Sequence, residues 1–417
     1  MSIETVISSL GTKGDGIAEV DGARLHVQFA LPGERVEIEV FGNDALLLGV
    51  IEPSKERLEP FCPHFGTCGG CRMQHAGPAI YEPWKRDIVV SALRNARIDA
   101  PVAALVAAHG TGRRRVTLHI RFERRKAQAG FMAARSHLLI DLETCPVLTP
   151  ALAKSPDIAR ALAQPFESLG KPLDVQITDS ANGLDVDIRG SGEITPALRL
   201  LLSQMAGRLD LARLSLHGEV IVERRAPFHR MGLSMVTPPP GGFLQATAAG
   251  EEALGALVHA AVGKAKRVAD LFCGVGPFAL RLATKSTVFA ADFGKDAIGA
   301  LDRGWRGTTG LRQIRSEARD LFRRPLLAHE LAEFDAIVLD PPRAGAEAQV
   351  RQLALTKSVP LVVYVSCDPQ SFARDASVLI SAGYVLENVT PVDQFAWSAH
   401  VELVGVFRLA GKGGKRR

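Results

Sequence analysis

Four runs constrain the fold of this chain more than any other feature: RVADLF (267–272), TVFAADF (287–293), FDAIVLDPP (334–342) and PLVVYVSCDP (360–369). Each is almost continuously apolar and stops at Asp, Gly or Pro. Helix-like segments stand around them: EEALGALVHAAVG before the first, then PFALRLAT, GKDAIGALDRG, AEAQVRQLALTK and SFARDASVLISAG. A strand that is apolar on both faces has to be covered on both faces, and helices crossing between parallel strands do this. Residues 241–410 are therefore expected to form a mainly parallel, doubly wound α/β sheet of the Rossmann-like kind. Such sheets bind ligands at the carboxyl ends of their strands. The polar residues of these runs collect there.

The rest of the chain follows other patterns, and 417 residues are too many for one ordinary core. The TPPPGG run at 237–242 punctuates the chain just before the α/β pattern begins. Upstream, VTLHIRFE, AQAGFMA, LDVQITDS, LDVDIRG and LSLHGEVIVERR have strand character. TPALAKSPDIARALAQPF and TPALRLLLSQMAGRL have helix character and open on Thr-Pro start signals. We expect an α+β central domain over 55–240, carrying a cysteine-rich loop and a helix over YEPWKRDIVVSALRNA. Residues 1–54 place RLHVQFAL, RVEIEVFG and LLLGVIEP between Gly-rich turns, the pattern of a small β-barrel. A basic tail occupies 411–417.

A hydrophobic share of 47% and a charged share of 23% suit a soluble globular protein. No apolar run approaches the roughly 20 residues needed to span a bilayer, and the start has no secretory pattern. A cytoplasmic monomer with no membrane partner is expected. The net charge of +5 suits a polyanionic partner without requiring one. Arg113, Arg114, Arg115, Arg121, Arg124, Arg125 and Lys126 form the densest basic stretch. They are either phosphate contacts or a solvated face.

Three groups of residues carry chemistry. In VADLFCGVGPFAL, Gly274 and Gly276 let the backbone approach a ligand, but the third glycine of a dinucleotide fingerprint is absent. Asp292 ends the next strand, where a carboxylate can bind a ribose diol, and Asp340-Pro341-Pro342 ends a later one. Together they describe a site for S-adenosylmethionine (AdoMet); the Gly turn alone also fits a plain strand–helix connection. Cys367 stands where a buried strand meets a helix, so it is a candidate nucleophile whose thiol the helix amides would help to ionise. The alternative is a small buried apolar residue, which is the expectation for Cys273. Glu402, in SAHVELVGVF, is either a buried general base with a raised pKa or an edge-strand residue facing water. Finally, Cys62, Cys68, Cys71 and a remote Cys145 supply four thiolates. Zinc more often takes two C-x2-C pairs, whereas three close cysteines and one distant Cys-Pro fit a [4Fe–4S] cluster.

The motifs DLFCGVGPFAL, LDPPRAG, YVSCDPQSFARD and HVELV, in this order across 241–410, resemble the RNA 5-methyluridine methyltransferases, the TrmA/RumA group. The resemblance implies that Cys367 adds to C6 of a uracil, C5 takes the AdoMet methyl group, and Glu402 removes the C5 proton. It further implies AdoMet contacts at Gln245, Phe272, Asp292 and Asp340, with Asp320 near the adenine. The cysteine spacing is similar to that of the cluster-containing branch, which implies a [4Fe–4S] cluster on Cys62, Cys68, Cys71 and Cys145. Residues 1–54 resemble a TRAM barrel, an RNA-binding module. Within the family these features lean toward a uridine of 23S rRNA over one of tRNA. The chain departs from the family pattern at Thr247, where Asn is common, and at Phe395-Ala396-Trp397-Ser398, which offers Trp397 for stacking on the target base. A cytidine-5 methyltransferase would carry a cysteine beside Asp340, and LDPPRAG has none. A non-catalytic, cluster-bearing RNA-binding protein would lack Cys367 or Glu402, and both are present.

Overall fold

A computed structural model describes residues 2–134 and 136–410 of the chain. The tail 411–417 lies outside the described residues. At the N-terminus, β1 (Ser2–Leu10), β2 (Gly16–Val20), β3 (Ala23–Val27), β4 (Arg35–Phe41) and β5 (Asp44–Glu52) close into a barrel of order β1-β2-β3-β5-β4. Alternation fills it: Val36 and Ile38 of β4 point inward beside Ile7 and Val27. Strands β1 and β2 are additions to the strands read from the sequence, β2 lying within GTKGDGIAEVDG, which was expected as a Gly-rich turn.

Next come α1 (Pro78–Asn95) and β6 (Val106–Ala107). The α+β layer follows, with β7 (Arg115–Glu123), β8 (Lys126–Met132), β9 (Leu139–Asp141), α2 (Ser155–Ala163), β10 (Leu173–Ser180), β11 (Gly183–Arg189), α3 (Pro196–Arg208), β12 (Arg213–Leu216) and β13 (Glu219–Glu223). Its sheet has the order β13-β12-β11-β10-β7-β8-β9. LSLHGEVIVERR is a hairpin and not one strand, because His217 and Gly218 both adopt positive φ (52° and 83°). The run expected as one helix over 149–166 is also divided: α2 lies between two 3₁₀ segments, Pro150–Leu152 and Gln164–Leu169. Prolines at the start of each piece prevent a continuous hydrogen-bond ladder.

A hairpin of β14 (His229–Met231) and β15 (Ser234–Val236) leads into the last layer. This contains α4 (Ala248–Val262), β16 (Arg267–Leu271), α5 (Pro277–Leu282), β17 (Thr287–Asp292), α6 (Lys295–Arg306), β18 (Ile314–Ala318), α7 (Ala328–Leu331), β19 (Ala336–Leu339), α8 (Glu347–Thr356), β20 (Leu361–Ser366), α9 (Pro369–Ser381), β21 (Tyr384–Asp393) and β22 (Glu402–Leu409). The sheet order is β18-β17-β16-β19-β20-β22-β21-β6, parallel from β18 to β20, with β22 antiparallel to its neighbours. Every residue of β19 and β20 is buried, as a strand covered on both faces requires.

Part of the span expected in the central unit packs here. Trp84, Ile88, Val89 and Leu93 of α1 enter the same apolar core as Phe372 and Leu379 of α9, and β6 pairs with β21. The apolar side of α1 finds its cover on α9 and β21, far along the chain. Among the described residues no helix is long and apolar enough to cross a membrane.

Candidate active site

The chain reverses its direction of travel across the sheet between β16 and β19, leaving a crevice at their carboxyl ends. A cavity of about 830 Å³ opens there. Gln245, Phe272, Asp292, Asp320, Asp340, Cys367 and Glu402 all line it, brought together from across the α/β layer. The turn after β16 is tightly determined. Phe272 holds φ 63°, a conformation uncommon for a non-glycine residue, and its ring meets that of Phe322 at 5.4 Å. Gly276 has φ 87°, and a Cβ there would lie 2.3 Å from Leu301, so α5 can start close against α6 only with glycine. Asp292 accepts the Gly274 N–H at 3.0 Å and the Gly294 N–H at 2.8 Å, which fixes its carboxylate beside the turn. Asp320 accepts from the Phe322 and Arg323 amides, while Phe322 and Phe293 stand exposed at the rim. Apolar rings beside oriented carboxylates suit a planar base joined to a ribose.

The deep end of the cavity is acidic. Glu402 is 3% exposed, and burial pushes its carboxyl up to about 7 against the opposing hydrogen bond from Gln394 and the charge of Arg343. Burial, Glu402 and the other carboxylates raise Asp340 well above the usual range. The Cys367 thiol is pushed up to about 11 by burial, then Glu402, then Asp340, with Arg343 working the other way. The sequence suggested that helix amides would ionise this thiol. Burial, then two neighbouring carboxyls, outweigh them, and Asp368 takes the α9 N-cap, accepting from the Gln370 and Ser371 amides. Cys273 is buried, as expected of a packing residue.

Four residues of this site escaped the sequence expectations: Arg343, Gln394, Phe395 and His400. Gln394 donates to Gln245 at 2.7 Å and to Glu402 at 3.0 Å, and Gln245 in turn donates to Asp340 at 3.3 Å. His400 and Arg343 meet at 3.3 Å on the cavity wall, beside Phe395. The signal for two of them was present, since Arg343 lies within LDPPRAG and His400 begins HVELV.

The loop between β21 and β22 is held from α1. Fully buried Lys85 donates to Asp393 at 2.8 Å, to Phe395 O at 3.1 Å and to His400 O at 2.5 Å. Tyr81, one turn earlier, donates to the other Asp393 oxygen at 2.6 Å. Trp397 does not line the large cavity, so it is not placed to stack on a base bound there. Its ring packs on Phe61 (4.8 Å) and His109 (5.6 Å), and its carbonyl accepts from the Arg72 and Met73 amides at 2.6 and 3.2 Å. Phe395 provides the aromatic wall instead. Thr247 serves as N-cap of α4, accepting from Gly250 N at 2.8 Å and donating to Ala108 O at 2.6 Å.

Cys62, Cys68, Cys71 and Cys145 line a second cavity, of about 430 Å³, between the cysteine-rich loop and the central sheet. Among the described residues, no three His, Cys, Asp or Glu side chains form a group that could hold a metal ion. The basic stretch divides in two. Arg114 is buried and pairs with Glu251 at 2.7 Å, while Arg115 donates to Gly242 O, so these two tie the central sheet to the α/β layer. Arg114, just before β7, is committed to that buried pairing and not to a phosphate. Arg121, Arg124, Arg125 and Lys126 are exposed on the β7–β8 hairpin.

Residues 238–410 match the family model described as tRNA (uracil-5-)-methyltransferase. An uncharacterized RNA methyltransferase of Brucella suis is 45% identical over 403 residues, 97% of each chain. The 23S rRNA (uracil(1939)-C(5))-methyltransferase RlmD of Halomonas elongata is 35% identical over 443 aligned positions, covering 96% of this chain and 88% of that one. In fold, the chain is similar to Pyrococcus abyssi tRNA (uracil-54, C5)-methyltransferase, solved with S-adenosyl-L-homocysteine, with a TM-score of 0.72 at 19% identity over 97% of this chain and 100% of the other. The chain belongs to the RNA (uracil-5-)-methyltransferase family.

Proposed function

We propose that this protein methylates carbon 5 of a uridine in ribosomal RNA, with AdoMet as the methyl donor and Cys367 as the nucleophile. One observation carries the proposal: a thiol, a buried carboxyl near neutrality and the Gly-turn ligand site line one cavity. Carbon 5 of uracil is a poor nucleophile until addition at C6 breaks the ring conjugation. The Cys367 thiolate forms the bond to C6, and the C5–C6 π electrons move into an enolate. C5 then takes the methyl group from the sulfonium, leaving S-adenosylhomocysteine. Glu402 accepts the C5 proton, and the returning electrons expel the thiolate. The acidic end of the cavity favours a cationic sulfonium, whose charge would offset the Glu402 and Asp340 influence on Cys367.

RNA bearing 5-fluorouridine tests this chemistry. Fluorine at C5 cannot leave as a proton, so wild-type protein and AdoMet should give a covalent RNA–protein adduct that survives denaturing gels. Absence of that adduct would overturn the mechanism. The rRNA target rests on the Halomonas relative, while the exposed basic β7–β8 hairpin suits phosphate neutralisation of either RNA. Mapping 5-methyluridine in rRNA and tRNA from cells lacking the protein decides between them.

The four cysteines fit a [4Fe–4S] cluster better than a zinc ion. One zinc requires all its ligands to converge at about 2.3 Å on a single point. Each cysteine of a cubane binds a different iron, and all four cysteines line one cavity. Cys62, Cys68, Cys71 and Cys145 would hold it, and its contribution would be to cross-link the cysteine-rich loop to the central sheet. Anaerobically purified protein is expected to be brown, with about four iron and four sulfide per chain. Stoichiometric zinc without sulfide would rule the cluster out.

A further inference from the structure

We propose that Gln394 is the positioning residue that keeps Glu402 ionised and aimed for proton removal; this rests on the methyltransfer chemistry proposed above. Gln394 is 1% exposed and lies in the wall behind the cavity, immediately after the Asp393 clamp. Its amide nitrogen serves two acceptors, Gln245 Oε1 at 2.7 Å and Glu402 Oε1 at 3.0 Å. Turning the amide over would set its oxygen against both acceptors, so the two contacts lock the orientation in which Glu402 receives an N–H. The Gln394 oxygen has no hydrogen-bond partner, and the whole side chain fits because residue 250 is glycine. A Cβ there would lie 2.7 Å from both the Gln394 Cβ and its Oε1.

The chemical consequence concerns the elimination step. A carboxyl sealed from water favours its protonated form, which cannot take the C5 proton. Hydrogen bonding to the anion favours the ionised form, and Gln394 supplies it without adding a charge that would also bind the leaving thiolate. The chain Gln394–Gln245–Asp340 extends the same network to the Asp-Pro-Pro turn, so the base and the ligand-binding wall are held together.

The test is the pH dependence with which the methylated RNA–protein adduct decays, compared between wild type and Gln394→Met, a substitution that keeps volume. We expect the acid limb of Gln394→Met to move to higher pH by about one unit. Decay at pH 7 should slow about fivefold, with the adduct visible at steady state. An unmoved limb, or a uniform loss at every pH, would overturn the proposal, because a purely structural role predicts the latter. Adduct formation on 5-fluorouridine RNA checks that the variant is folded. If Gln394→Met fails that check, Gly250→Ala, which pushes on Gln394 from α4, must show the same upward displacement or the proposal fails. If wild type itself gives no fluorinated adduct, the methyltransfer mechanism is at fault and not the assignment of Gln394.

Discussion

Replacing Cys367 with alanine is expected to lower methyl transfer to RNA by on the order of 10⁴-fold or more, because the other thiol on the cavity wall, Cys273, is buried in the Gly turn and held protonated. Incorporation of labelled methyl groups from AdoMet measures the loss, and the adduct with 5-fluorouridine RNA should disappear with it. Binding of S-adenosylhomocysteine should persist, since the Gly turn, Asp292 and Asp320 are untouched. Cys273→Ala is the contrasting case: its thiol is buried in the turn and pushed well above the usual range, so methylation should survive. The pH profile gives a second check. With the Cys367 thiol at about 11 in the free protein, only about one molecule in 10⁴ carries a thiolate at pH 7. Adduct formation at low AdoMet should therefore climb about tenfold per pH unit between 6 and 9, and saturating AdoMet should flatten the climb. Substantial methylation by Cys367→Ala would refute covalent activation.

The α/β layer was legible because strands buried on both faces leave an unbroken apolar run that few other structures require. Other elements carried weaker local signals. Strand β21 contains Glu387, Asn388 and Pro391, and β1 opens Ser-Ile-Glu-Thr, a half-buried alternation that resembles a polar terminus. Helix α1 was visible as a helix, but nothing local states which sheet a helix will cover. Its assignment depends on apolar residues of α9 that lie almost 300 positions away.

The site divides along the same line. Residues on the cavity wall sit at strand ends, where the fold class itself says ligands bind, so Asp292, Asp340 and Cys367 could be nominated from pattern alone. The charges and hydrogen bonds that tune them come from distant segments. Gln394 and Gln245 are 149 residues apart in sequence, and Lys85 and Asp393 are 308 apart. Cys367 shows the consequence: local reasoning expected an eased thiol, whereas burial, and then Glu402 and Asp340 folded in from elsewhere, raise it. Trp397 shows it too, because its partners come from the cysteine-rich loop, from α1 and from the segment carrying His109, all far back in the chain.

Glu402→Gln is expected to convert the enzyme into one that methylates once and stalls. Glutamine cannot take the C5 proton, so turnover should fall about 10²- to 10⁴-fold while methylated RNA accumulates covalently on Cys367. The adduct should also form more readily, because the substitution removes the largest charge-based cause of the raised Cys367 pKa. In wild type, decay of the adduct should slow as pH falls through about 7, where Glu402 becomes protonated. Stability moves the other way. A carboxyl raised from 4.5 unfolded to about 7 folded is at its most favourable below pH 4.5 and costs up to about 3 kcal/mol once pH exceeds 7. The neutral amide avoids this cost, so at pH 8 the variant should melt no lower than wild type, and the two should converge at pH 5. A variant that turns over normally would remove Glu402 from the mechanism. One that melts lower at pH 8 and forms no adduct would show that the buried carboxyl is needed for the fold.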